Sequence, residues 1–190
     1  VVRVREGSRV GVAVGCGILP LLGDIDPYLM AQAAVDEAIR NVVSAGAEFG
    51  TPESVISLCD NFCWPDPVKD PLKMAALVRA CFGMRQACLE LGAPLVSGKD
   101  SMKNDYRGKV GGRDVHIAVP YTLLMTAVAR VPDISRARTA DFKHAGETIY
   151  LLGGLERGLA GTEWERVARP ADPGRDEARA AEYERLEGVT

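Results

Sequence analysis

Three stretches of the chain collect residue types that bind phosphate or a hard cation. The first is Ser97-Gly98-Lys99-Asp100-Ser101, which follows directly on the apolar run Ala93-Pro94-Leu95-Val96. Gly98 permits close backbone approach, Lys99 carries a point charge, Ser101 offers a hydroxyl, and Asp100 adds a carboxylate. The stretch is not a Walker loop, because five residues rather than four separate Gly92 from Gly98 and an Asp follows Lys99. A phosphate-binding strand end and a solvated turn are both compatible with these residues.

The second stretch is helical in spacing. Glu37 and Asn41 lie one turn apart, so their oxygens can converge on Mg²⁺ with nucleotide phosphates completing its shell. A wet helix face, with Glu37 paired to Arg40 at i,i+3, is the alternative. In the third stretch, Asp60 and Asn61 follow the β-branched run "SVISLC". They can meet a ligand at a strand end, or cap the next loop through Asx turns while Phe62 and Trp64 fill the core.

The elements that must position these residues follow from punctuation and period. "VVRVR" and residues 9–16 read as short strands around the turn cluster Glu6-Gly7-Ser8. Asp26-Pro27 is an N-cap followed by a first-turn proline, and Gly46 a left-handed stop, which predicts a helix over 27–45 with Val35, Ile39, Val42 and Val43 on one face. Asp70-Pro71 starts a second helix by the same device, with Leu77, Cys81, Met84 and Cys88 on one face before Gly92. Residues 54–59 and "APLV" are strands, with loops expected at "DNFCWPDPVKD" and "SGKDS". If the strands are parallel, both loops open at one edge of the sheet and bring Asp60 or Asn61 within reach of Gly98–Ser101. A turn at Gly111-Gly112, strands in "VHIAV" and "TLLMTAVARV", a polar connection, and a new strand in "TIYLLGG" complete the expectation, before a highly charged tail over 170–190.

Composition narrows the classes. The chain has 190 residues, 47% of them hydrophobic and 26% charged, enough for one full domain and part of a second. No apolar run approaches the roughly 20 residues that span a bilayer. A formal charge of −3 argues against non-specific nucleic-acid binding, which needs a basic surface. The five cysteines lie in apolar segments, without a second Cys or His pair at zinc spacing, as reduced core thiols of a cytoplasmic protein do. His116 and His144 are isolated from each other in sequence. The chain starts without Met in an already alternating stretch and reads as a piece of a longer protein.

Taken together, "GDIDPYLMAQAAVDEAIRNVV", "LCDNFCWPDP", "PLVSGKDSMKNDY" and "PYTLLMTAVARVPD" resemble the phosphoribosylformylglycinamidine synthase family of purine biosynthesis, in order, over roughly residues 9–153. The resemblance implies an α/β fold (α+β in the broad sense) like the aminoimidazole ribonucleotide synthetase N-terminal domain, with a mixed sheet and two main helices. It divides the chain into that domain over 1–137 and, over 138–190, a linker and the start of an incomplete α+β C-terminal-like domain. The resemblance implies that the chain is part of the second synthetase half. The family is a ligase that uses ATP, Mg²⁺ and glutamine-derived ammonia to convert formylglycinamide ribonucleotide to the amidine.

Position by position, the resemblance makes Glu37 and Asn41 metal residues beside a nucleotide and Arg40 a substrate contact, and it gives Gly98 and Ser101 to nucleotide and substrate phosphate. Asp60, Asn61, Lys99 and Asp100 complete the expected nucleotide and substrate site. The sequence departs from the family at Lys99, where smaller members carry a metal-binding Asn, at Leu58, where they carry an Asp, and in the loop before the first helix, which lacks the His of the first half. Expected partners are the first synthetase half, a glutaminase subunit or domain, and a second copy of the chain through its barrel strands. The fragment alone is expected to be inactive, and a non-catalytic half with a degenerate nucleotide pocket is the alternative.

Overall fold

A computed structural model describes residues 1–154 and 160–168. Strands β1 (Val2–Arg3) and β2 (Gly11–Ile18) lead into the one-turn helix α1 (Pro20–Gly23) and the long helix α2 (Pro27–Ser44). Strand β3 (Ile56–Cys63), helix α3 (Pro71–Glu90) and strand β4 (Leu95–Ser101) follow. A hairpin of β5 (Asp105–Val110) and β6 (Arg113–Ala118) precedes β7 (Thr122–Val131), a 3-10 turn at Ile134–Arg136 and the short helix α4 (Glu163–Ala168).

Both Asp-Pro devices work as capping chemistry requires. The Asp26 carboxylate accepts from the Tyr28 amide at 2.9 Å, and that of Asp70 accepts from the amides of Leu72 and Lys73. Each satisfies donors that a helix start leaves unpaired.

One sheet runs in the order β1-β2-β7-β3-β4. Strands β2 and β3 are each antiparallel to β7, and β3 is parallel to β4. The C-terminal ends of β2, β3 and β4 therefore share one edge. Helix α2 packs on one face of the sheet through Val35, Ile39 and Val42, above Ala13 of β2 and Met125 and Ala127 of β7. Val43 is exposed, contrary to expectation, because the apolar stripe is narrower than its sequence suggested. Trp64 is fully buried, stacked on Tyr121 at 4.7 Å, with its indole N–H donating to the Lys73 carbonyl at 3.0 Å. Burial of side chains such as Trp64, Met30 and Leu123 contributes about 1.5–3 kcal/mol each.

The second helix departs from its expected face. Helix α3 buries Ala76, Ala80, Gly83 and Ala87, while Leu77, Met84 and Cys88 are half-buried and Cys81 is exposed. Small residues win because α3 lies close on α2: a Cβ at Gly83 would collide with the Tyr28 carbonyl. The thiols are likewise not core groups. All five cysteines are free, Cys16 and Cys81 are exposed and the other three half-buried.

Three loop and strand assignments change. "DNFC" and "SGKDS" are not loops but the last parts of β3 and β4, because each backbone finds a ladder partner in the other and β3 has β7 on its second side. Pairing here overrides the turn preference of Gly, Asp, Asn and Ser. Residues 105–110 form a strand that the sequence did not announce. Residues 148–154 are not a strand: Ile149, Tyr150, Leu151 and Leu152 are all exposed, with no neighbouring ladder to satisfy them. The charged tail of 170–190 lies outside the described residues.

Candidate functional site

Register decides how the polar residues of β3 and β4 are arranged. Asp60 pairs with Gly98, Asn61 with Lys99 and Cys63 with Ser101. The expected proximity of the two stretches is therefore real. Successive side chains in a strand alternate between faces, so the set divides. Asp60, Gly98 and Asp100 share the helix-covered face with Leu58 and Phe62, whereas Asn61, Lys99 and Ser101 share the open face with Cys59 and Cys63.

On the helix side, Gly98 has a steric reason. A Cβ there would collide with the Asp60 carboxylate, so the glycine makes room for a neighbouring acid as well as for any ligand. Burial pushes the Asp60 carboxyl above its ordinary range, and the negative charge of Asp100 adds to the effect. The thiols of Cys81 and Cys88 are pushed up by burial and then by these carboxylates, which keeps them protonated and poor nucleophiles.

On the open side, Lys99 Nζ contacts the Ser101 hydroxyl, an arrangement that presents a cation and a hydroxyl together at the end of an edge strand. Along the same row of the sheet, Lys99 is followed by Asn61, Leu124 and Ile18. Three strand spacings of about 4.8 Å put the two margins of that row roughly 14 Å apart. The far margin is the free edge of β2, where Glu37 and Asn41 stand. Gly17 lets α2 approach closely enough for this, since a Cβ at Gly17 would collide with the Ala34 carbonyl.

Glu37 Oε2 accepts from the Ile18 amide and Asn41 Nδ2 donates to the Cys16 carbonyl, both at 2.8 Å. These bonds satisfy backbone groups of β2 past Val12, where the two-residue β1 no longer covers it, and fix both side chains. Among the described residues, neither Glu37 Oε1 nor Asn41 Oδ1 takes a hydrogen bond, which leaves two held oxygens free. Arg40 is not paired with Glu37; it bonds Asp36 one turn back at 2.6 Å.

The donor set suits a hard cation. Two oxygens, one of them anionic, are the usual protein share for Mg²⁺, whose other ligands are water and phosphate. No group of three or more His, Cys, Asp or Glu able to hold a metal occurs among the described residues, so an all-protein cage is not what this site offers.

Two groups escaped the sequence reading. Asn104 donates from Nδ2 to the Ser101 carbonyl at 2.7 Å and to Cys63 Sγ at 3.2 Å. His116, isolated in sequence, bonds Asp105 Oδ2 through Nε2 at 2.9 Å. The position of Asn104 just past a polar strand end was its only signal; the His116 pair depends on hairpin register and had none. No described helix is long and apolar enough to cross a membrane.

Residues 1–130 match the family described as AIR synthase related protein, N-terminal domain. A phosphoribosylformylglycinamidine synthase subunit PurL from Nocardioides sp. is 34% identical over 166 residues, covering 87% of this chain and 20% of the relative. The structure of Thermotoga maritima PurL complexed with ATP is similar with a TM-score of 0.53 and 26% identity, over 70% of this chain and 20% of that one. The same protein complexed with FGAR gives a TM-score of 0.52 and 25% identity, over 71% and 19%. The chain thus spans about a fifth of the length of these relatives.

Proposed function

Because the chain belongs to the AIR synthase related protein family through its N-terminal domain, we propose that it is part of an ATP-dependent amidoligase of purine biosynthesis, one that converts formylglycinamide ribonucleotide (FGAR) to formylglycinamidine ribonucleotide. In that reaction the formamide oxygen takes a phosphoryl group from ATP. Ammonia released from glutamine by a glutaminase partner then adds to the carbon, and the C–O bond breaks with loss of phosphate. The chain supplies one wall of the site rather than a catalytic residue.

The observation that carries this reading is the pinning of Glu37 and Asn41 to the β2 edge with one free oxygen each. A Mg²⁺ held there would offset charge on a nucleotide phosphate. Lys99 and Ser101, at the opposite margin of the same sheet end, would hold a second phosphate, that of the substrate. The two margins lie on strands three spacings apart, which suits two phosphate groups on two ligands better than one. Binding energy from a phosphate remote from the reacting amide would serve orientation. Arg40 and Asn61 lie near these two margins as accessory contacts.

The apolar part of the open face, with Val14 exposed and Val12 and Val128 half-buried, is the surface on which the first synthetase half, or a second copy of the chain, would close a barrel. Residues 138–190 would be the linker and the start of a C-terminal-like domain. A second reading has a specific observation behind it. The ammonium of Lys99 already lies against Ser101, so a protein cation can replace a metal at that margin and leave a structural half with a degenerate pocket.

Replacement of Ser101 by Trp in the assembled enzyme distinguishes the two. The first reading expects kcat/KM for FGAR to fall by about tenfold or more, with thermal unfolding of the chain little changed. Wild-type kinetics for both Ser101 and Lys99 variants would remove the phosphate site.

A further inference from the structure

The end of β4 that carries Lys99 and Ser101 is held by its own sheet on one side only. The strand is an edge strand, paired only with β3, in continuous register from Ser97 to Ser101, and all of its residues except Ser101 are exposed. A second anchor exists immediately beyond it. The Asn104 amide donates to the Trp64 carbonyl at 3.1 Å, its carbonyl accepts from the Val119 amide at 3.3 Å, and its side-chain Nδ2 reaches both Ser101 O and Cys63 Sγ. The Trp64 amide closes the ring by donating to the same Ser101 carbonyl at 2.9 Å. One residue thus ties together the ends of β3, β4 and β6.

To reach this position the chain passes through a left-handed conformation at Lys103, φ 62°, the one non-glycine residue among those described to do so. Such a conformation persists only where the surroundings over-determine it. The hairpin that follows is a separate two-stranded sheet, which is marginal by itself and depends on its base. At that base the Asp105 side chain, only 6% exposed, bonds His116 with Oδ2, and the positive charge of Lys73 on α3 also favours its ionised form. Among the described residues its Oδ1 is buried and takes no hydrogen bond of ordinary geometry, although the Asp66 amide favours the charged carboxylate. A group so placed costs stability unless the contact it makes is needed elsewhere.

We propose that Asn104 is a positioning residue for the phosphate-facing end of β4, holding Lys99 and Ser101 in place, and that the Asp105–His116 pair keeps Asn104 there by clamping the hairpin base. The inference rests on the phosphate reading of Lys99 and Ser101 for its purpose, but not for its structural content. The side-chain amide is the active part, because only a donor can bond the Ser101 carbonyl. Asn104→Asp is therefore the telling change: it keeps the shape, cannot donate, and sets a carboxylate against that carbonyl.

The test uses the chain within the assembled enzyme. Hydrogen exchange is followed at the Trp64 and Asn104 amides, with Leu58, whose amide bonds the Pro94 carbonyl, as the reference. Inorganic phosphate is then titrated while the Lys99 and Ser101 amides are observed. In Asn104→Asp and in His116→Leu, exchange at Trp64 and at position 104 should accelerate by about tenfold or more while Leu58 is unchanged, and phosphate binding should weaken about tenfold in Asn104→Asp. Unchanged exchange in Asn104→Asp overturns the inference, and so does faster exchange with phosphate binding unaltered. Faster local exchange in a chain whose wild type binds no phosphate supports the anchoring of the strand end and counts against the phosphate reading alone.

Discussion

Asp60 is the residue whose chemistry is most at odds with stability. Its carboxyl is pushed up by burial and by the charge of Asp100, so it binds its proton more tightly in the folded than in the unfolded chain. Between the ordinary carboxylate range and that raised value, stability falls as pH rises; above it, the full cost of holding the ion is present. Asp60→Asn should therefore raise Tm at about pH 7, and the gain should vanish near pH 3, where both states carry the proton. Equal gains at both pH values would show that the effect is packing rather than charge. The sequence singled out Asp60 and Gly98 and their nearness, but not the form of their contact. Their contact is a carboxylate filling the space a glycine leaves, which requires register across two strands, and register is not written in either stretch alone.

At the scale of elements, the two helices were legible because capping is local: Asp-Pro sets a start whatever packs on it. Which face of α3 is buried was not legible, because Leu77, Met84 and Cys88 are more apolar than Ala76, Ala80 and Gly83, and hydrophobicity ranks them first. Closeness of approach ranks them the other way. This reversal yields a prediction. Gly to Ala inside a helix ordinarily stabilises by about 0.5–1 kcal/mol. Gly83→Ala should instead destabilise by about 1–3 kcal/mol, measured by urea unfolding, because the new methyl meets the Tyr28 backbone. A gain in stability would mean that α2 and α3 are not in that contact. The two stretches whose composition predicts loops are strand ends for a related reason. Gly, Asp, Asn and Ser favour turns in isolation, and only the ladder between β3 and β4, with β7 beside it, holds them extended.

Among the described residues, the five-stranded sheet is covered by helices on one face and leaves the other open, with apolar Val12, Val14 and Val128 toward β2 and polar Asn61, Lys99 and Ser101 toward β4. The candidate site therefore has a lateral logic: oxygens from α2 at the β2 margin, a cation and a hydroxyl from β4 at the other. The residue types of that site could be read from the sequence. Their division between two faces could not, and neither could the backbone bonds that fix Glu37 and Asn41. The measurement that bears most directly on the central claim is calorimetric binding of ATP to the assembled enzyme, with and without Mg²⁺, for the wild type and Glu37→Gln. Glutamine can still accept from the Ile18 amide, so the edge stays capped while the charge is lost. The account predicts Mg²⁺-dependent binding that weakens by about tenfold, or about 1.4 kcal/mol, in Glu37→Gln at unchanged Tm. Binding that is indifferent both to Mg²⁺ and to this substitution would contradict it.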